Sequence, residues 1–319
     1  MRARFHLPDF AQHFMFNLIF ADMLKHRPEL FREGVEIASV YGTFPPAIWN
    51  GGRFASGKCD KGFIKQVIKS FNDIGIPLRF TFTNPVLEKK HVHDEYCNMI
   101  MHLADNGMNE VIVASPILEE YIRKTYPNYK ITSSTCKRIT EPEKLYDEVG
   151  KDYHIVVIDY DLNNHFDILE KIPDKQKCEL LVNACCNPGC KLRSDHYKMI
   201  GAETLAYAEH MKKTNSPTFD FKLSSKYAEY IKDEIIECKC MDRSVFQIKN
   251  LRTHISPDAI WEKYIPMGFE QFKIEGRTIE LFNLVEHYMY YMIKPECRDE
   301  ARLLFLTHLK NENVIQARF

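Results

Sequence analysis

The strongest constraint on this chain is an alternation. Short apolar runs of β-forming residues trade places with stretches of helical periodicity from residue 35 to residue 292. The β-type runs fall at 35–41, 78–83, 110–114, 130–135, 154–160, 179–184, 245–250 and 271–275. Between them, residues 61–73 set Phe63, Ile64, Val67, Ile68 and Phe71 on one face at the 3.6-residue period of an amphipathic helix. A second helix over 94–106 stops at Gly107, a suitable C′ residue. Thr140-Glu141-Pro142-Glu143 reads as a capping box with proline in the first turn, and Ser256-Pro257 as an N-cap followed by proline. Repeated strand–helix units predict a parallel sheet, and eight of them predict a closed (β/α)8 barrel of the α/β class. No GxGxxG follows the first run, which disfavours an open dinucleotide-binding sheet.

This reading divides the chain into an N-terminal helical segment at 1–34, with an amphipathic helix over 10–32, and a barrel at 35–296. A C-terminal helix follows at 297–319. The barrel carries a long insertion at 191–243, with helical patterns at 196–213 and 225–237. No stretch reaches the roughly 18 apolar residues that span a bilayer. Asn17 and Asp22 interrupt the apolar run near the start, which speaks against a signal peptide. A formal net charge of −1 gives no general attraction to nucleic acid or anionic membrane. Ten cysteines without a secretion signal point to a reducing, cytoplasmic setting rather than a disulfide framework.

A barrel places its chemistry at the C-terminal ends of its strands. That rule collects Tyr41, Asn84, Ser115, Cys136, Asp159, Asp161, Cys185, Cys186, Cys190, Lys249, Glu275 and Arg277. The cysteines are the densest part of the set. Cys185, Cys186 and Cys190 follow the sixth run, and Cys238 and Cys240 close the insertion on the same face. Four of these thiols suit an iron–sulfur cluster, with Cys185 able to replace any one. The same ligands suit a tetrahedral zinc ion, and scattered buried thiols are the plain alternative. No cysteine–histidine pairing is evident, which disfavours a catalytic thiol.

Runs seven and eight alternate Gln247 and Lys249, and Lys273, Glu275 and Arg277, with apolar neighbours. The period of two puts each polar set on one face. Helices cover the outside of such a barrel, so the polar set is expected in its interior or mouth. There it either forms a charge network that plugs the barrel or binds a substrate carboxylate or phosphate through Lys249, Lys273 or Arg277. Asp159 and Asp161 are candidates for a general acid/base pair, and His196 for a group supporting a metal site. His91 and His93 read as a solvated loop.

Phe272-Lys273-Ile274-Glu275-Gly276-Arg277 resembles the signature near the end of the barrel in the U-32 peptidase family, the collagenase-like proteins. The Lys249 to Ser256-Pro257 turn is similar too. So is the run Asn183-x-x-Cys186-x-x-x-Cys190-x-x-Arg193-x-x-His196-Tyr197. The resemblance implies a barrel. In several branches of that family it also implies a [4Fe–4S] cluster and oxygen-independent hydroxylation of a quinone precursor or a transfer-RNA uridine. Carried over by motif, it assigns Cys186 and Cys190 as ligands, with Cys238 and Cys240 supplying the rest and Cys185 as a substitute. It leaves three readings. The first is a hydroxylase-type redox enzyme acting on a small-molecule or RNA-borne ring, with Lys249, Lys273, Glu275, Arg277 and Asp159 around the substrate and an electron donor or homologous subunit as partner. The others are a peptidase and a non-catalytic metal-binding subunit. The chain is expected to differ from the family in opening with a helix rather than a strand.

Overall fold

The computed structural model describes residues 2–277 and 279–316. Eight parallel strands close into a barrel in chain order: β1 (Ala3–Pro8), β2 (Val35–Gly42), β3 (Leu78–Phe82), β4 (Glu110–Val113), β5 (Lys130–Ser133), β6 (Ile155–Val157), β7 (Cys178–Leu181) and β8 (Gln271–Lys273). Closure comes from β1, which pairs with β2 on one side and β8 on the other. Helices α1 (Phe14–His26), α2 (Lys61–Asp73), α3 (Glu95–Ala104), α4 (Pro116–Thr125), α5 (Pro142–Gly150) and α6 (Phe166–Leu169) follow the first six strands. The first five cover the sheet with the apolar faces that the 3.6-residue period requires; α2 buries Ile64, Val67, Ile68 and Phe71.

The count of eight is right, but two of its members change. The first strand is β1, which the sequence reading absorbed into the N-terminal segment. Its alternation was present, with Phe5 and Leu7 against Arg4 and His6. Conversely, the run at 245–250 is not a strand. Val245–Ile248 is one helical turn, opened by a capping box between Ser244 and Gln247. Over four residues, an apolar-polar alternation and one helical turn look alike. The chain therefore opens with a strand, as the U-32 resemblance implies, and the barrel starts at Ala3 rather than at 35. The excursion beyond the sheet is also longer than the expected insertion, running from β7 to β8. It holds the helix α7 (Arg193–Thr214), but 225–237 is a 3-10 segment (Ser225–Tyr230) and a short turn (Asp233–Ile236). Among the described residues no helix is long and apolar enough to cross a membrane.

The barrel interior carries charge where such barrels usually hold branched aliphatics. Arg79 of β3 reaches across to Glu179 of β7, both side chains fully buried. Arg79 also donates to Thr132 at 2.9 Å and lies 3.3 Å from Glu110. Glu179 in turn pairs with Lys273 at 3.2 Å, and His6 bonds Ser39 at 2.7 Å and Gln271 at 3.0 Å. Burial is the larger effect on His6 and lowers it to about 3, so its ring is neutral. Against the cost of its burial, Arg79 and Lys273 hold Glu179 well below the usual carboxylate range. The expected Lys/Glu/Arg plug exists, but the acid partner of Lys273 is Glu179 and not Glu275.

Candidate active site at the barrel mouth

Above the plug, the strand ends surround a cavity of about 70 Å³. Lys273 forms part of its floor, 4.0 Å over the Tyr41 ring, and Tyr41 donates its hydroxyl to the Ile274 carbonyl at 2.6 Å. Burial pushes Lys273 down to about 8, with Glu179 opposing that shift. Glu275 and Arg277 stand higher, at the mouth. The end of β8 is fixed there by a reciprocal pair of bonds, from Asn183 Nδ2 to the Glu275 carbonyl (2.9 Å) and from the Glu275 amide to Asn183 Oδ1 (2.6 Å).

Arg277 is buried, yet its hydrogen bonds go only to neutral groups. They reach Asn50 at 2.9 Å, Thr81 at 2.8 Å and the Gly51 carbonyl at 2.8 Å. No carboxylate pairs with it among the described residues, and burial lowers its proton affinity. The loop between β2 and α2 makes this arrangement possible. A side chain on Gly51 would come within 2.5 Å of the Thr83 backbone, so only glycine lets this loop lie on the end of β3.

The same loop delivers Arg53, which the sequence reading did not single out. Its guanidinium pairs with Glu275, lies 3.6 Å from Cys185 Sγ and lines the cavity. Glu275 also accepts the Cys185 amide at 2.9 Å. Arg53 and Glu275 therefore join the cavity to the cysteine loop. The only sequence signal for Arg53 was its place after two glycines in Trp49–Arg53. Cys136, at the end of β5, and the phenols of Tyr160 and Tyr197 complete the wall.

The five cysteines come to one side of the barrel mouth. Cys185, Cys186 and Cys240 pack together with Tyr160, Leu181 and Ile248, and Cys185 lies 3.2 Å from Met241 Sδ. Cys190, Cys238 and Cys240 line an adjacent groove of about 560 Å³ with His196 and Asn187. The Cys185 thiol donates to Cys186. That bond and Arg53 hold Cys186 down to about 5, against its burial, while Cys185 is pushed up. Among the described residues no three His, Cys, Asp or Glu side chains are grouped so as to hold a metal ion. The five thiols, all soft donors, share this side of the mouth. Cys178 lies at the other end of the barrel, its thiol 3.3 Å from the Asp174 carbonyl.

Two expected site residues lie elsewhere. Lys249 caps the turn at Val245–Ile248 and sits 3.8 Å over the Tyr290 ring, outside the cavity, because its segment is helical. Asp159 is also outside the lining. It bonds Arg193 at 2.6 Å and Arg138 at 2.9 Å, while Asp161 bonds the same two arginines at 2.8 and 3.2 Å. Burial raises Asp159 to about 6 despite these cations. Asp161 also accepts the Gly189 amide at 2.8 Å. The two aspartates thus clamp the cysteine loop and the start of α7 rather than form an acid/base pair. His91 closes a capping box with Glu88, and His93 is exposed, in keeping with a surface loop.

No family model matches the chain. An uncharacterized protease of Methanocaldococcus jannaschii is 24% identical over 186 residues, 57% of this chain and 49% of that protein. The chain is similar to proteins named as proteases or peptidases. It spans about half the length of that relative. The solved structure of a U32 peptidase aligns with 12% identity and a TM-score of 0.48, covering 88% of this chain and 95% of that one.

Proposed function

We propose that the chain is a cytoplasmic redox enzyme. Its substrate is a ring bearing an oxyanion or carbonyl, free or carried on RNA, which enters the barrel mouth. Arg277 carries this reading. A buried guanidinium without a carboxylate partner is costly, and an anionic ligand in the cavity would neutralise it. Lys273, paired with Glu179, and Arg53, paired with Glu275, line the same cavity with the phenols of Tyr160 and Tyr197. The cavity as it stands matches a carboxylate-sized group, being far below the roughly 300 Å³ of an ordinary ligand site. A whole ring requires the Arg53 loop to give way.

A [4Fe–4S] cluster on Cys186, Cys190, Cys238 and Cys240, with Cys185 as the substitute ligand, would carry electrons to or from this cavity. An electron-donor protein or a homologous subunit is the partner this chemistry asks for. The chain's own residues do the rest: Arg277 and Lys273 hold the anion, Arg53 and Glu275 fix the cysteine loop against the cavity, and the Asp159–Arg193 clamp fixes its far end. The peptidase alternative is carried by the names of the similar proteins. The cavity lining holds a thiol and a carboxylate but no histidine among the described residues, and a cysteine peptidase uses a thiol–histidine pair.

Thermal-shift titration with benzoate tests the ligand assignment. The wild-type chain is expected to be stabilised, and Arg277→Gln to lose the effect. Equal stabilisation of both would contradict the reading.

A further inference from the structure

We infer that Cys136 is a nucleophile of the mouth cavity, adding reversibly to a conjugated ring carbon whose carbonyl oxygen Arg277 holds. The inference rests on the reading of this cavity as the substrate pocket, and not on the cluster. Three groups come close together beside Gly52. Around the position that a Cβ would take there, an Arg277 Nη lies at 3.3 Å, Cys136 Sγ at 3.4 Å and Thr83 Oγ1 at 3.7 Å. All three side chains line the cavity. Thr83 is only 3% exposed and its hydroxyl has no hydrogen-bond partner among the described residues. A buried orphan hydroxyl aimed into a cavity asks for a polar ligand atom. Arg277, buried without a carboxylate, asks for a negative one. Cys136 is held in place by its amide, which donates to Ser134 Oγ at 3.1 Å from the end of β5.

The thiol, the cation and the hydroxyl thus face one small cavity, with sulfur free to reach a ring carbon and the other two its carbonyl oxygen. The thiolate is the attacking form, its proton passing to solvent. A sulfur–carbon bond forms, the carbon–carbon π pair shifts to join the carbonyl carbon, and the carbonyl π pair moves onto the oxygen. The guanidinium of Arg277 receives that charge and the Thr83 hydroxyl donates to the same oxygen. Expulsion of the thiolate reverses the step, so no oxidant or reductant is consumed. The adduct makes the neighbouring ring carbon electron-rich. The substrate class is therefore a cyclic enone or a ring with an equivalent conjugated carbonyl.

Cyclohex-2-enone is the probe. The full chain, purified without oxygen, is exposed to it for graded times and its thiol adducts are mapped by peptide mass spectrometry. Cys297, of the same exposure class and remote from the mouth, is the internal reference. Cys136 is expected to react at least about tenfold faster than Cys297, because only at Cys136 do Arg277 and Thr83 receive the developing oxyanion. Benzoate is expected to protect Cys136 and leave Cys297 unchanged. In Arg277→Gln the Cys136 rate falls at least about tenfold while Cys297 holds its rate, which also reports an intact fold. Equal rates at the two thiols, or no protection by benzoate, would overturn the assignment. Absence of iron in the same preparation would sink the redox reading and leave this one standing.

Discussion

Glu179→Gln is the most informative single substitution, because it removes one charge and almost no volume from the barrel plug. Glu179 partners Arg79, Lys273 and His6. His6 is neutral and loses little. Lys273, already lowered to about 8, can release its proton at pH 7 for no more than about 1.4 kcal/mol. Arg79 cannot lose its charge. It keeps Thr132 and the Glu110 carboxylate 3.3 Å away, which places the loss at the lower end of the range for a broken buried pair. The expected cost is about 3 kcal/mol. At about 2 °C per kcal/mol for a chain of this size, the melting temperature should fall by roughly 6 °C. Far-UV circular dichroism melts at pH 7 give the value. Glu36→Gln is the control, since Glu36 is half-exposed and its pairs with Arg2 and Arg4 lie at 3.4 and 3.7 Å. Exposed pairs of this kind contribute less than about 1 kcal/mol. If Glu179→Gln melts within about 1 °C of Glu36→Gln, the plug is not held by charge and the argument fails.

Two more predictions follow from the same elements. Lys273 has a folded value near 8 against 10.5 for the free group, so the folded chain binds fewer protons between those pH values and stability should rise with pH across that window. The full penalty, about 3.4 kcal/mol at most, is present below pH 8. Wild type is therefore expected to gain on Lys273→Met in melting temperature from pH 8 to pH 10, and a constant difference would refute the assignment. Gly51→Ala should force the Trp49–Arg53 segment off the end of β3 and cost Arg277 its carbonyl partner. Loss of benzoate binding with a folded circular dichroism spectrum is the expected outcome, and wild-type binding would contradict the close approach.

The sheet was legible because most strands pass under helices with strong 3.6-residue periodicity, which marks the units even where strands are short. β1 was hidden because its inward residues, Arg4 and His6, are polar and look like surface. Val245–Ile248 misled for the opposite reason, as one amphipathic turn carries too few residues to reveal its period. At the site, the rule that chemistry gathers at strand ends named Cys136, Glu275 and Arg277, all of which line the cavity. It failed for Lys249, which inherited the false strand. Asp159 was named on the right face, but two arginines from other elements, Arg138 and Arg193, engage it. Arg53 was out of reach of periodicity altogether, because its position depends on how a glycine loop folds over β3. The closeness of Cys136, Arg277 and Thr83 beside Gly52 depends on three separate elements, which no local pattern encodes.

Iron and acid-labile sulfide content, measured on chain purified without oxygen, tests the central claim most directly. Wild type is expected to hold about four of each per chain, with a broad visible band near about 400 nm, and Cys190→Ser is expected to lose them. Stoichiometric zinc in place of iron, or an unchanged spectrum in Cys190→Ser, would contradict an iron–sulfur centre beside the barrel mouth.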